Sequence, residues 1–229
     1  MPLPTRRLRR SSRRARLFHS GVYLVTLPLL LTGWWLLLGG EGRPSPLARL
    51  LGSPDTQVHR RLGWVLAAIG LLALLYGRRG VIGFARETFR VDRGDARWWA
   101  RLPLAAFSGR FARHDGHFDP AQRVANVVLV VGLCAVTASG IGLTLLHGGP
   151  VFARLHEVHR WATFVITPVI AAHLVVVSGI LPGYRGVWRA MHFGGRVSEE
   201  TARRLWPAWS ERAGAAEEPA SRARVSRRP

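Results

Sequence analysis

The chain has 229 residues, of which 48% are hydrophobic, and it carries a formal net charge of +20 with no lysine among its 33 basic residues. Its single cysteine, Cys134, excludes disulfides within the chain, cysteine-ligated iron–sulfur clusters and covalent CxxCH haem attachment. Because the arginines flank long apolar runs, we interpret them as determinants of membrane topology and not as a nucleic-acid-binding surface.

The N-terminal region combines a basic arm with a long apolar run. Residues 1–16 contain seven arginines and no acidic residue, and we predict that this arm is disordered. Ser12-Arg13-Arg14 resembles the start of a twin-arginine signal peptide. However, the apolar run 17–38 is too long for such a signal, and no small-x-small cleavage site follows it. We therefore predict that 17–38 is the first transmembrane helix.

Three further apolar runs are long enough to cross a bilayer. They cover residues 59–77, 123–146 and 156–181. The predicted fold is an all-α membrane protein in which residues 17–182 form a four-helix transmembrane bundle. Beyond the bundle we predict an amphipathic cytoplasmic segment over 183–212 and a disordered tail over 213–229.

The distribution of arginine predicts the orientation of the bundle. The connection 78–122 contains nine arginines against five acids, and both termini are also basic, whereas 39–58 has no net charge. Cytoplasmic segments of membrane proteins carry the excess of positive residues. We therefore place both termini and 78–122 in the cytoplasm of a bacterium, and 39–58 and 147–156 outside its cytoplasmic membrane.

The long connection 78–122 also contains aromatic residues and histidines. Trp98 and Trp99 are typical of an interfacial helix that lies against lipid headgroups. His114 and His117 lie in a polar segment that contains glycine, so we predict that they are solvated loop residues. A metal site there would need more ligands than the sequence offers.

The fourth predicted helix carries histidines at two depths. His159 and His173 are 14 residues apart, which corresponds to about 21 Å along a helix and about 40° around it. His156 is a poorer partner for His173 because it lies about 100° away from that face. An ionisable residue inside the membrane indicates a functional site by default, although a histidine that hydrogen-bonds a neighbouring helix is an alternative.

Two histidines on other helices match these depths. With the predicted topology, His19 lies on the inner side with His173, and His59 lies on the outer side with His159. Two neutral imidazoles from facing helices are the axial ligands of a low-spin b-type haem. The sequence therefore predicts two non-covalent haems b, an inner and an outer one, that carry electrons because their iron has no open coordination position.

Two arginines follow directly after one of these histidines. Arg60 and Arg61 lie at the start of the second helix, where they could pair with haem propionates. The alternative is that their side chains extend to the lipid headgroups. The sequence leaves both interpretations open.

Several motifs occur together over about residues 15–212. They are a histidine at the foot of the first helix, GSPDTQVHRRLG, HFDPAQR, the His-x13-His helix and the tail AMHFGGRVSEETARRLWPAWSER. In these features the chain resembles the cytochrome b (gamma) subunit of membrane-bound formate dehydrogenases. It is also similar to the cytochrome b subunits of nickel–iron hydrogenases. The tail favours the formate dehydrogenase branch.

This resemblance implies partners and a second site. Electrons would come from an iron–sulfur subunit and a catalytic dehydrogenase subunit, which would hold the active site that this chain lacks. Quinone would accept the electrons beside the inner haem, near Asp119 and Gln122. The family has Asn at the position of Asp119, so this carboxylate is either a proton donor to quinone or a helix N-cap.

Other functions remain as alternatives. Within the same class, the chain could be a hydrogenase-type or a free-standing quinone-linked cytochrome b. From other classes come a metal or proton transporter that uses the histidines, and a purely structural anchor. Transporters usually have acidic residues or broken helices near the membrane midplane, and in these spans prolines such as Pro168 are the features of that kind.

Overall fold

A computed structural model describes residues 6–39 and 42–225, and most of these residues are helical. Two short strands are β1 (Arg7–Arg9) and β2 (Arg196–Ser198). The first five helices are α1 (Arg13–Leu37), α2 (Pro46–Leu51), α3 (Asp55–Tyr76), α4 (Arg78–Thr88) and α5 (Asp95–Ser108). The others are α6 (Pro120–Leu145), α7 (Gly149–Ser178), α8 (Arg189–His192), α9 (Glu199–Leu205) and α10 (Pro207–Val225), with a 3-10 turn at Pro182–Tyr184.

Four of these helices are long and apolar enough to span a membrane. They are α1, α3, α6 and α7, which confirms the predicted all-α protein with four membrane helices. Each helix begins three to seven residues before the predicted start, because the prediction followed the apolar runs alone. Polar residues before each apolar run form the first turn of the helix. An acid such as Asp55 is favourable in that turn because it interacts with the positive end of the helix dipole.

The chain divides into two compact units. The first, the bundle unit, consists of Leu17–Ile82 and Val128–Ile170 and contains most of the four membrane helices. The second, the sheet unit, consists of Met1–Arg16, Gly83–Val127 and Ala171–Pro229.

Glycines allow close helix packing within the bundle unit. A methyl group at Gly132 of α6 would overlap the buried side chain of Ile166 on α7, and one at Gly142 would reach the side chain of Leu155. Small residues at such crossings let membrane helices approach closely. The glycines of α6 therefore serve its packing against α7.

The sheet unit joins the two ends of the chain. Strand β1 pairs antiparallel with β2, with Leu8 opposite Val197, and both of these side chains are 0% exposed. They belong to a core that also includes Tyr184, Ala202 and Trp206. The prediction of a disordered arm over 1–16 is therefore wrong from Arg7 onward, because Leu8 finds an apolar partner far away in the sequence. Residues 1–5 lie outside the described part of the chain.

The segment after the last membrane helix is more ordered than predicted. Over 183–212 the chain forms α8, β2, α9 and the start of α10, and the hydroxyl of Ser198 caps α9 by accepting from the N–H of Thr201. The tail over 213–229, predicted to be disordered, continues as α10 to Val225, and 226–229 lie outside the described residues.

The predicted interfacial helix exists as α5, but its two tryptophans differ. Trp98 is 1% exposed and stacks on Phe111 at a ring-centre distance of 6.2 Å, so it belongs to the core of the sheet unit. Trp99 is 42% exposed. Only Trp99 therefore has the exposure expected of a residue that faces lipid headgroups.

Candidate functional site

The outer histidine pair lies inside the bundle unit. His59 is in the second turn of α3 and His159 is in α7, and both side chains are half-buried. Their imidazole rings are neighbours in an edge-on arrangement, with centres 6.0 Å apart and an angle of 74° between the ring planes. The structure thus brings together the two residues that the sequence assigned to the outer haem.

Each imidazole of this pair contacts a hydroxyl group on one of the other two membrane helices, α1 and α6. The Nδ1 atom of His59 lies 2.9 Å from Oγ1 of Thr32 on α1. The Nδ1 atom of His159 lies 3.1 Å from Oγ of Ser139 on α6. All four membrane helices therefore contribute to this one site.

Glycines next to these hydroxyl residues leave room for the rings. A Cβ atom at Gly33 would lie 3.2 Å from Cε1 of His59, and one at Gly140 would lie 3.3 Å from Cε1 of His159. Both distances are shorter than ordinary van der Waals contact. The sequence alone did not indicate a role for Thr32 or Ser139. Each of them directly precedes a glycine inside an apolar helix, and this pair of residues is a pattern that the sequence does contain.

The geometry of the outer pair fits a haem iron. A metal–imidazole bond is about 2 Å long, and adding about 1 Å from each nitrogen to its ring centre places two axial imidazoles about 6 Å apart. The observed 6.0 Å agrees with that spacing. His59 and His159 would be the two ligands, and bound haem b would supply a one-electron carrier.

The two residues of the predicted inner pair, His19 and His173, belong to different units. His19 lies near the start of α1, half-buried, with its ring edge against Tyr23 at a centre distance of 5.6 Å. His173 lies half-buried in α7. Their joint role as inner haem ligands stays a prediction.

One histidine and two arginines that are close to the outer pair in sequence have exposed side chains. His156, which helical phase excluded as a ligand, is exposed on α7. Arg60 and Arg61 are also exposed, and Nη2 of Arg61 is 3.4 Å from Oε1 of Gln57. This exposure fits either of the two roles that the sequence left open for these arginines.

Asp119, the candidate quinone residue, is buried at the start of α6 in the sheet unit. Its Oδ1 accepts a hydrogen bond of 2.8 Å from the backbone N–H of Gln122, so the carboxylate caps this helix. Burial raises the pKa of Asp119, and this cap bond and the nearby charges of Arg10 and Arg123 act in the opposite direction. Capping does not exclude a second role for this carboxyl group.

The prediction that His114 and His117 are solvated is wrong. His114 is 2% exposed, and its Nε2 lies 2.9 Å from the carbonyl oxygen of Leu205. His117 has its Nδ1 2.9 Å from Nη1 of Arg10, and its backbone N–H donates to Glu87. Burial, together with the charges of Arg10 and Arg212, lowers the pKa of His117 to about 3.

Arg10 is a further residue that the sequence analysis missed. Its guanidinium carbon lies 4.1 Å from the ring centre of Trp206 and 4.5 Å from that of Trp209. It also bonds the ring and the backbone carbonyl of His117. Cation–π contacts of this kind stabilise a fold, so Arg10 anchors the N-terminal arm.

Comparison with known proteins identifies the family of the chain. The family model described as prokaryotic cytochrome b561 matches residues 10–194, which include all four membrane helices. A comparison with curated proteins gives no match. Cytochromes b561 are membrane proteins that bind haem b and transfer electrons. With four apolar helices and a family match that covers most of its length, the chain belongs to the prokaryotic cytochrome b561 family.

Proposed function

We propose that this cytochrome binds two haems b and passes electrons from an iron–sulfur partner on the periplasmic side to quinone in the bacterial cytoplasmic membrane. The observation that carries the proposal is the neighbouring pair His59 and His159, with ring centres 6.0 Å apart. Two imidazoles occupy both axial positions of an iron and leave none for a substrate. Such a site is suited to electron transfer and not to binding of dioxygen or a substrate.

A second haem with His19 and His173 as its ligands is proposed from the positions of His159 and His173 on one continuous helix, α7, which also contains Pro168. This helix runs without interruption from Gly149 to Ser178, so the interval of 14 residues from His159 to His173 corresponds to about 21 Å. Two ligand levels at that separation suit electron transfer from one side of the membrane to the other. Arg60 and Arg61, exposed at the start of α3, are proposed partners for the propionates of the outer haem.

The proposed quinone site is at Asp119 and Gln122. A carboxyl group whose pKa is raised by burial can keep a proton and give it to a reduced quinone. The arginine distribution favours cytoplasmic termini and a cytoplasmic connection 78–122. Quinone reduction beside this connection would therefore take up protons from the cytoplasm.

The donor is proposed to be a dehydrogenase of the formate dehydrogenase type. The support is the resemblance of the tail after residue 190, and substrate oxidation would belong to the catalytic subunit of that complex. A hydrogenase-type or free-standing quinone-linked cytochrome b would use the same haem ligands. In each case the present chain acts as the membrane-anchoring electron-transfer subunit.

A transporter that uses the histidines is the alternative from a different class. The four membrane helices contain two acidic residues, Asp55 and Glu157, both toward the helix starts. Asp55 bonds Ser45, and Glu157 pairs with Arg160 at 2.7 Å. Neither residue lies in the apolar centre of a span, where proton or metal transport would need it.

Oxidation of the reduced protein by quinone tests the proposal. Chemically reduced protein is mixed with a soluble quinone analogue in a stopped-flow instrument, and the haem absorption is followed. We expect rapid oxidation in the wild type and slower oxidation in Asp119→Asn and Gln122→Ala with unchanged haem content. Asn caps a helix about as well as Asp but cannot donate a carboxylic proton. Wild-type rates in both variants would remove quinone from this loop.

A further inference from the structure

Each of the two outer histidines contacts a dipeptide on another membrane helix, and both dipeptides consist of a hydroxyl residue followed by glycine. Thr32-Gly33 on α1 contacts His59, and Ser139-Gly140 on α6 contacts His159. In each dipeptide the hydroxyl meets Nδ1 of the imidazole and the glycine lies beside Cε1. The repetition of the arrangement on unrelated stretches of sequence indicates a shared role.

The hydrogen bonds of Thr32 determine the tautomer of His59. A hydroxyl has one proton to donate, and Oγ1 of Thr32 lies 2.9 Å from the carbonyl oxygen of Pro28 and 3.2 Å from that of Leu29. Because the proton goes to a backbone carbonyl, the oxygen must accept from Nδ1–H of His59. The lone pair of this imidazole is then on Nε2.

Ser139 imposes the same tautomer on His159. Its Oγ lies 2.6 Å from the carbonyl oxygen of Ala135, which takes the hydroxyl proton, and 3.1 Å from Nδ1 of His159. Ser139 is 2% exposed and Thr32 is 1% exposed, so water does not compete with either bond. Both imidazoles therefore present Nε2 as the atom that can bind a metal.

The glycines fix the position of each ring. With Cβ distances of 3.2 and 3.3 Å to Cε1, a larger residue at Gly33 or Gly140 would push the imidazole away from its hydroxyl partner. A ring held by a hydrogen bond at Nδ1 and a close backbone at Cε1 has little rotational freedom.

We propose that Thr32 and Ser139 are positioning residues of the outer haem, which hold His59 and His159 in the Nδ1–H tautomer and orient Nε2 toward the iron. This inference rests on the proposed function, in which these histidines are the ligands. A hydrogen bond from the distal nitrogen of a ligating imidazole makes it a stronger electron donor. Thr32 and Ser139 thereby lower the midpoint potential of the outer haem relative to a site without them.

The test is an optical redox titration of the purified holoprotein and its variants. In Thr32→Val and Ser139→Ala we expect the potential of one haem component to rise, with a larger rise in the double variant, while the other component is unchanged. Thr32→Ser should keep the wild-type potential because it keeps the hydroxyl. Thr26→Val removes another buried threonine hydroxyl of α1 and should have no effect.

The outcomes separate this inference from the proposed function. Loss of one haem in Thr32→Val, with retention in Thr32→Ser and Thr26→Val, also supports the positioning role. Wild-type potentials and haem content in both Thr32→Val and Ser139→Ala would overturn it, as would an equal effect of Thr26→Val. If His159→Ala leaves both haems in place, the ligand assignment itself fails, whatever the two hydroxyl variants do.

Discussion

Two histidines of the bundle unit and two of the sheet unit have different hydrogen-bond partners. In the bundle unit, His59 and His159 are tied by neutral hydroxyls at Nδ1, which leaves Nε2 for another ligand. In the sheet unit, His114 bonds a backbone carbonyl through Nε2, and His117 meets the charged side chain of Arg10 at Nδ1. The same residue type thus has the surroundings that we propose for haem ligation in one unit and packs into the core in the other.

This difference shows what identifies a ligand histidine. Burial alone does not, because His114 is as buried as any histidine of the described chain. A neighbouring imidazole and a neutral acceptor at Nδ1 are more informative, because they leave the lone pair on Nε2 for a metal. The following experiments test this distinction.

The largest effect is expected from replacing a ligand. His59→Ala and His159→Ala should each lose one of the two haems, because an iron that keeps one axial imidazole is held weakly. The haem-to-protein ratio from a pyridine haemochrome assay measures this loss. His114→Ala and His156→Ala are the matched controls and should retain both haems. Loss of a haem from His114→Ala, without loss from His159→Ala, would reverse the comparison.

An intermediate effect is expected at the glycines. Gly140→Ala places a methyl group 3.3 Å from Cε1 of His159, so we expect a shifted haem spectrum and reduced occupancy of the outer site. Alanine is the better helix former by about 1 kcal/mol, so a loss of haem would not come from the helix itself. Gly70→Ala, where the methyl group meets nothing within 4 Å, should leave the spectrum unchanged.

The sequence was sufficient to predict much of the bundle unit. Apolar runs gave the four membrane helices, and helical phase selected His159 over His156, which the structure shows half-buried and exposed, respectively. These features depend on residues within one helix. Thr32 and Ser139 were missed because their role depends on a side chain from another helix. A neutral hydroxyl residue in an apolar run also lacks the charge that would mark it as a candidate site residue.

The sheet unit was harder to predict because its contacts join distant residues. Arg10 and His117 are 107 residues apart, and His114 and Leu205 are 91 residues apart. An arginine-rich arm looks disordered unless the partner of Leu8, which is Val197, is known. Such pairings leave no local periodicity in the sequence.

A smaller effect, on stability and not on haem, is expected at Arg10. Arg10→Gln removes the cation–π contacts with Trp206 and Trp209 and weakens the bonds to His117, at a cost of about 2 kcal/mol in the free energy of unfolding. The melting temperature should fall while the haem spectrum stays the same. Arg13→Gln, an exposed arginine of the same region, is the control. Equal melting temperatures of Arg10→Gln and the wild type would contradict the anchoring role.

A further effect on stability alone is a pH dependence that comes from His117. Its pKa is about 3 in the folded protein and about 6.5 when unfolded, so between these values the unfolded chain binds more protons. Stability is therefore fully present above pH 6.5 and falls on acidification, by at most about 1.4 kcal/mol per pH unit. Thermal unfolding of His117→Gln from pH 7 to 4 should show a shallower loss than the wild type. Parallel curves would mean that His117 is protonated in the folded state.

The most direct test of the central claim is the haem content of the wild-type protein. We predict two non-covalent haems b per chain, extractable with acid acetone, with a Soret band and the spectrum of six-coordinate low-spin iron. One of the two should disappear on replacing either His59 or His159. Folded, detergent-pure protein without a Soret band, or with two haems per chain still bound in both variants, would contradict the assignment of these histidines as haem ligands.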